Sequence, residues 1–401
     1  MKYVFFTNSM GGYSGGPSYV RTKLNYLKET GWNVLVFDST GSYNAEIKMD
    51  DFNEFKNNRY QELFYNPFWL RKSRRNRLLS EILEKIGDDD RIVIESDGLN
   101  MSMWGELVAS HLGAKHIVYV LSEKLTIHNS SMYQFYKFKA LRSELFSISA
   151  NAYCKLMQEF EDGSDAEQHY WSAKVSVPIE NVRCDEISSI PSADYNIGHL
   201  GRQKSYFDSM FEQVSLFAKR QEGKSVNFIM LGDVSVKEKW KNLLPPNINI
   251  YVIESRQPIP SVFFEKTDVV IATAGCASIG WKYRAKVISM DVYDGNPLGV
   301  LGYDTKDRNL RSQDNSYCLS LSETLENVLV RNKYKNKAFV DYPITIKGFD
   351  YHLKFTVPAD SKYYDVSMID KTVRSKHDML IRSLLFFNLV GVCSSMRYHG
   401  I

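Results

Sequence analysis

The chain has 401 residues, 44% of them hydrophobic and 24% charged, with a formal net charge of +3 at pH 7. That length exceeds one ordinary core and predicts two domains, and the balance is that of a soluble globular protein rather than a disordered one. So small a charge on so long a chain excludes a dedicated nucleic-acid binder.

The chain opens with an apolar strand, "KYVFF", followed by a loop with four glycines in six residues, Gly11, Gly12, Gly15 and Gly16. Val20, Leu24 and Leu27 then share one helical face, and Gly31 is placed to end that helix. "NVLVFDS", "RIVIESD" and "HIVYVLSE" read as buried strands, the last two separated by the helix "NMSMWGELVASHL"; "LFSISA" is a weaker strand. Strands alternating with helices predict a parallel sheet covered on both faces. The polar stretch "DEISSIPSADYN" is a candidate linker, and the alternation restarts after it. "YNIGHLG", a helix over Phe207–Arg220, "VNFIMLGD", a helix near Val236–Leu244, "INIYVIES", "PSVFFEKT", "DVVIATAG", a short helix from Ala277 and "KVISMDV" follow in order. "SLSETLENVLV" is a later helix with Ser320 and Glu323 in capping-box spacing, and a final helix runs from about Ile369 to Val392. The expected division is residues 1–185, a linker at 186–196, a second domain at 197–370, and a closing helix at 371–401 that packs back on the first domain.

The five cysteines are scattered with no CxxC pair, and the eight histidines form no HxxxH or HExxH pair, so neither a disulfide framework nor a protein-held metal is indicated. No signal peptide is read at residues 1–20, and "LLFFNLVGV" is too short to span a bilayer. A cytoplasmic location is expected.

Six groups of residues carry candidate chemistry. The glycine loop has GGxxGG spacing, which no alignment converts to the GxGxxG of a nicotinamide site. It is either a flexible turn or a ligand-facing loop; the entropy cost of four glycines favours the second. Gly201, Arg202 and Lys204 lie between a strand and a helix, as a solvated pair or as an anion site suited to phosphates. Gly275, Cys276, Ala277 and Ser278 are small residues at a helix start, where a phosphate or sugar ring can reach backbone N–H groups. Asp291, Asp294 and Asn296 follow the last strand, as turn residues or as partners for hydroxyls. Glu95, Asp97, Glu123 and His128 stand at or just beyond strand ends as possible acid–base groups. Glu123 is the first choice, because a carboxylate ending a buried strand should point toward a ligand. Phe68, Trp69 and Leu70 precede Arg71, Lys72, Arg74, Arg75 and Arg77, an order found either at a solvated helix start or at an anionic membrane surface.

The succession of these features resembles the GT-B glycosyltransferases, particularly the bacterial glycosyltransferase group 1 (family 4-like) enzymes. "NSMGGYSGGPSYVRTKLNYLKETGWNVLVF" is similar to the family's opening strand, glycine loop and helix. Gly201, Arg202 and Lys204 match its "GR…K" element, and "DVVIATAGCASIGW" its donor-site turn. The resemblance implies an α/β fold of two Rossmann-like domains facing a cleft, with a C-terminal helix crossing back to the first. It implies a sugar transferred from a nucleotide-sugar co-substrate to a glycan or lipid-linked acceptor, in bacterial surface polysaccharide synthesis, with neither cofactor nor metal. Gly12, Gly15, Gly16, Gly201, Gly275, Cys276, Ala277, Ser278, Asp291 and Asn296 would line the donor site. Arg202 and Lys204 would neutralise the leaving diphosphate, with Glu123 as the catalytic carboxylate. Phe68–Arg77 would touch the inner face of the plasma membrane. The family's ribose-binding glutamate has no counterpart, since no acidic residue occurs from Val269 through Met290. A GT-B nucleotide-sugar epimerase and a catalytically silent sugar-nucleotide-binding subunit are the alternatives.

Overall fold

The computed structural model describes the chain except residues 9, 11–14, 40–57, 122–129, 148–152, 155–178, 181–183, 233–239, 241–243, 257, 342–361 and 370–401. It divides into two compact units, Met1–Lys174 with Thr345–Ile401, and Val175–Ile344.

The first unit is built on β1 (Lys2–Thr7), α1 (Gly15–Glu29), β2 (Asn33–Asp38), α2 (Lys72–Ile86), β3 (Ile92–Ser96), α3 (Leu99–Leu112), β4 (Lys115–Val120), α4 (Ser130–Leu141) and β5 (Leu145–Ser147). Its five strands pair in parallel in the order β2-β1-β3-β4-β5. The strands read as near-continuous apolar runs because helices cover both faces. Leu78, Leu79, Ile82 and Ile86 of α2 and Trp104 and Val108 of α3 pack with Val4, Phe6 and Ile94 of the sheet. Val20, Leu24 and Leu27 of α1 are buried, and Gly31 (φ 85°) follows the helix end.

Two charged networks lie inside this unit. Glu95 accepts hydrogen bonds from the Tyr3 hydroxyl, the Tyr19 hydroxyl (2.9 Å) and the Lys23 ammonium, all buried. Burial, then the Glu95 charge, raises the Tyr3 and Tyr19 hydroxyls well above the usual tyrosine range. In the second network Glu106 meets His116 Nδ1 at 2.6 Å and pairs with Lys139, while its Oε1 accepts from the Tyr364 amide at 2.7 Å. Burial alone would raise the Glu106 carboxyl, but Lys139 and His116 hold it down at about 2. Tyr363 also donates to the Ala114 carbonyl (3.1 Å), and Val366 and Ile369 join the core around Phe135. The chain therefore returns to its first unit by Tyr363. The closing helix expected at 371–401 lies outside the described residues.

The second unit comprises β6 (Ile179–Glu180), α5 (Asp185–Ser188), β7 (Tyr195–Leu200), α6 (Phe207–Arg220), β8 (Val226–Leu231), β9 (Ile248–Ile253), β10 (Ile259–Pro260), α7 (Ser261–Glu265), β11 (Val269–Ala272), α8 (Ala274–Lys282), β12 (Val287–Met290), β13 (Pro297–Val300) and α9 (Leu321–Leu325). The main sheet runs β13-β12-β11-β7-β8-β9, parallel except for β13, and β6 pairs with β10 in a small second sheet. Phe207, Phe211, Val214 and Phe217 of α6, with Leu321 and Leu325 of α9, cover one face; Phe263, Phe264, Ala277 and Trp281 cover the other. Ser320 caps α9: its hydroxyl accepts from the Glu323 amide while the Glu323 carboxylate accepts from Ser320. Residues 186–196 lie inside this unit, where Ile187 and Ile190 are buried beside Phe263. "PSVFFEKT", expected among the strands, forms the short helix α7 instead, because its consecutive buried residues fit one helical turn as readily as a strand. The helix expected from Ala277 begins three residues earlier, at Ala274.

Candidate functional site

In an open α/β sheet, ligands bind beyond the carboxyl ends of the strands where the strand order reverses. In the second unit that point falls between β7 and β11. The chain leaves β7 toward β8 and β9, then returns to the other side of β7 with β11 and β12. Leu200 pairs with Ala272 at this end of the two strands. The residues just beyond them are Gly201, Arg202 and Lys204 on one side, and Thr273 with the start of α8 on the other.

These two segments meet. Gly201 sits at φ 131°, and a side chain there would reach the Cys276 sulfur at 3.4 Å. Arg202 is exposed and makes no hydrogen bond or ion pair among the described residues; Lys204 beside it is half-buried. Gly275 and Cys276 are in the first turn of α8, Ala277 is buried in the core, and the Ser278 hydroxyl donates back to the Ala274 carbonyl at 3.2 Å. No side chain caps α8, so no capping oxygen occupies its amino-terminal turn. The Ala274 amide donates to the Arg308 carbonyl at 2.6 Å, and the Arg308 guanidinium lies 5.4 Å from the centre of the Trp281 ring.

The loop after β12 completes this end of the sheet. Gly295 (φ 72°) presses on Tyr206, which precedes α6, so closely that a Cβ would lie 2.3 Å from the tyrosine Cβ. Asp291 is 3% exposed, and its carboxylate accepts from the Tyr293 amide (2.8 Å) and the Arg311 amide (2.9 Å). It acts as a turn anchor that fastens residues 309–311 to the strand end. Asn296 is exposed, with its backbone amide bonded to Asp294 Oδ1 at 2.8 Å.

His199, which the sequence did not single out, is the last but one residue of β7. It is 1% exposed, edge-on to the Phe207 ring at 4.9 Å, and neither ring nitrogen has a hydrogen-bond partner among the described residues. Burial pushes its pKa down to about 4; the Gly201 and Ile271 backbone opposes that fall and the Lys204 charge adds slightly to it, so the ring is neutral near pH 7. A strand histidine carries no sequence signal of this state, which depends on what the fold stacks above it.

The first unit has its own point of reversal, between β1 and β3. Beyond those strands Asp97, 8% exposed, accepts from the Thr7 hydroxyl and from the Asn8 amide (3.3 Å), and the Asn8 side-chain oxygen accepts from Ser39. Burial raises the Asp97 carboxyl to about 7. The Thr7 and Asn8 bonds oppose that rise, and the charges of Glu95 and Asp38 add to it. Gly15 and Gly16 open α1; Gly12, Glu123 and His128 lie outside the described residues. Glu95 is committed to Lys23 and two tyrosines, so burial in that network replaces an acid–base role for it.

Phe68 and Trp69 are half-buried against the core, with the Arg75 guanidinium 4.5 Å from the Phe68 ring centre and Arg74 paired with Glu62. Among the described residues no helix is long and apolar enough to cross a membrane, and no group of His, Cys, Asp and Glu is arranged to hold a metal.

No protein-family model matches the chain, and no curated protein matches it. Solved structures do. The chain is similar to a glycosyltransferase from Rickettsia africae ESF-5, at 15% identity over 84% of this chain and 88% of that one, with a TM-score of 0.53. It is similar to sucrose-phosphate synthase from Thermosynechococcus elongatus, at 11% identity over 100% and 98% of the two chains, with a TM-score of 0.50. A UDP-GlcNAc 2-epimerase from Neisseria meningitidis bound to UDP-GlcNAc aligns at 13% identity over 88% and 98%, with a TM-score of 0.45. At such identities the first two likenesses establish architecture. The fold is GT-B, an α/β arrangement of two Rossmann-like domains.

Proposed function

We propose that the chain is a glycosyltransferase that takes a sugar from a nucleotide-activated donor and passes it to a glycan or lipid-linked acceptor. One observation carries the reading: Gly201–Arg202–x–Lys204 and the uncapped start of α8 meet where the strand order of the second unit reverses. A departing nucleoside diphosphate gathers negative charge as the bond to its sugar breaks. Arg202 supplies a planar fork of donors for it and Lys204 a compact point charge, with the helix start adding backbone N–H groups. Small residues at Gly275 and Cys276 let a phosphate approach that backbone, and the exposed Asn296 side chain is available to sugar or ribose hydroxyls. The GT-B fold hosts such reactions, but the site rather than the fold supports the assignment.

A panel of uridine, guanosine and adenosine diphosphate sugars tests it. The expected result is slow release of nucleoside diphosphate from one of them, accelerated by an oligosaccharide or polyprenyl-phosphate sugar acceptor. Conversion of a sugar nucleotide into its epimer without release would assign the chain to the epimerases instead. Tight binding with no turnover would make it a silent binding subunit.

A further inference from the structure

The second unit holds a pocket of about 650 Å³, within the roughly 300–1,000 Å³ of small-molecule sites. Every residue lining it lies between Tyr303 and Lys337, inside that one unit. Residues 303–319 fold over the open edge of β13, where the Arg311 and Asn315 side chains donate to the Pro297 and Leu298 carbonyls at 2.9 and 3.0 Å. β12 separates β13 from β11, which puts this edge two strand spacings, about 10 Å, from β11 and the phosphate-suited segments beyond it. We propose that the pocket binds a pyranose ring of a glycan chain, at a site separate from the one for the nucleotide-sugar.

The walls combine aromatic rings with charges of both signs. Tyr303 and Tyr317 are half-buried. Tyr303 packs on Tyr334 and Phe339, with ring centres at 5.3 and 5.5 Å, and the Tyr317 hydroxyl meets the Thr324 hydroxyl at 2.8 Å, so both rings are held in place. The apolar C–H face of a sugar can pack on such a ring. Beside them Lys337 pairs with Asp304 at 3.2 Å and Lys306 with Asp314 at 3.1 Å, and Asp304 also accepts from the Tyr334 hydroxyl.

That lining selects among ligand classes. A hydroxyl both donates and accepts, so neighbouring hydroxyls of one ring can meet the carboxylate and the ammonium of one pair together. A phosphate would be repelled by Asp304 and Asp314, which already neutralise two of the three lysines lining the pocket; Lys333 is the third. An apolar ligand would take charged side chains out of water and return no hydrogen bonds. A sugar ring uses the aromatic surface and the paired charges at once.

Cys318 lines the pocket, is exposed, and serves as a built-in reporter; Cys154, exposed in the first unit, is its control. The probes are the methyl glycosides of glucose, galactose, mannose and N-acetylglucosamine, in both anomers, with inorganic phosphate as a separate arm. A single ring binds with a dissociation constant on the order of 1 mM, and at about ten times that concentration roughly one molecule in ten stays open. At least one glycoside should therefore slow iodoacetamide alkylation of Cys318 by about tenfold, read by peptide mass spectrometry, and leave Cys154 unchanged. The same glycoside should give a saturation-transfer NMR signal that Cys318→Trp abolishes by filling the pocket. Lys306→Ala with Asp314→Ala, both exposed, should weaken its binding by about tenfold or more. No slowing by any glycoside, equal slowing at Cys154, protection by phosphate alone, or undiminished glycoside binding in both variants each overturns the proposal. The alkylation readout needs no variant, so a misfolded Cys318→Trp does not shelter it. Failure of every sugar nucleotide to turn over would remove the glycosyltransferase reading and leave this outcome to be decided on its own.

Discussion

Arg202→Ala and Lys204→Ala are each expected to lower turnover by about 10²–10³, the usual consequence of losing one transition-state donor. Both variants should fold normally. Arg202 is exposed and packs into no core, and Lys204 is only half-buried. Charge on the terminal phosphate grows as the glycosidic bond breaks, so a cation there stabilises the transition state more than the ground state. Nucleoside diphosphate binding should weaken too, with binding of the nucleoside alone little affected. Arg202→Lys should recover part of the loss, because the charge remains while the planar fork is gone. Steady-state kinetics with the active donor decide the matter. Wild-type turnover in both alanine variants would make the pair a solvated surface feature.

The largest effect on stability is expected at Glu95. Glu95→Ala leaves the Lys23 ammonium buried without its carboxylate, and removes the acceptor of the Tyr3 and Tyr19 hydroxyls. Breaking one partner of a buried pair costs about 3–5 kcal/mol, since the remaining charge stays out of water. The double variant Lys23→Met with Glu95→Leu should regain part of that loss, because no charge is left to desolvate while the Tyr3 and Tyr19 hydroxyls still lack their Glu95 acceptor. Urea unfolding of the full chain, followed at the transition that the Glu95 variant shifts, measures both. A loss below about 1 kcal/mol in Glu95→Ala would mean that Lys23 finds water or another partner there.

What the sequence made legible was local. The helix Phe207–Arg220 is legible with the bounds it has, because Met210, Phe211, Val214 and Phe217 keep helical spacing between polar neighbours. The capping box at Ser320 and Glu323 appears as its spacing required. "PSVFFEKT" carries no periodicity to separate one helical turn from a strand, and β13, an antiparallel edge of four residues with a proline and a glycine, carries no strand signal. Asp291 illustrates the limit for single polar residues. Its composition and position fit both a turn and a ligand contact, and only the amides of Tyr293 and Arg311 reveal the turn.

The candidate site was legible as two separate phosphate-suited segments. Their meeting at Gly201 and Cys276 depends on β7 pairing with β11, a long-range choice that no local pattern encodes. Asp97 was visible as one of several strand-end acids. Nothing in "RIVIESD" distinguishes its raised carboxyl from Glu95 two residues earlier, which the fold instead joins to a buried lysine.

The most direct test of a diphosphate-binding second unit is the thermal shift produced by nucleoside diphosphates in the wild type and in Arg202→Ala. A ligand present at ~100 times its dissociation constant stabilises the native state by about 2.7 kcal/mol, enough to move the melting temperature by a few degrees. The wild type should shift with one nucleoside diphosphate and scarcely with the matching nucleoside, and Arg202→Ala should lose most of that shift. No shift with any nucleoside diphosphate, or equal shifts in the two proteins, would contradict it.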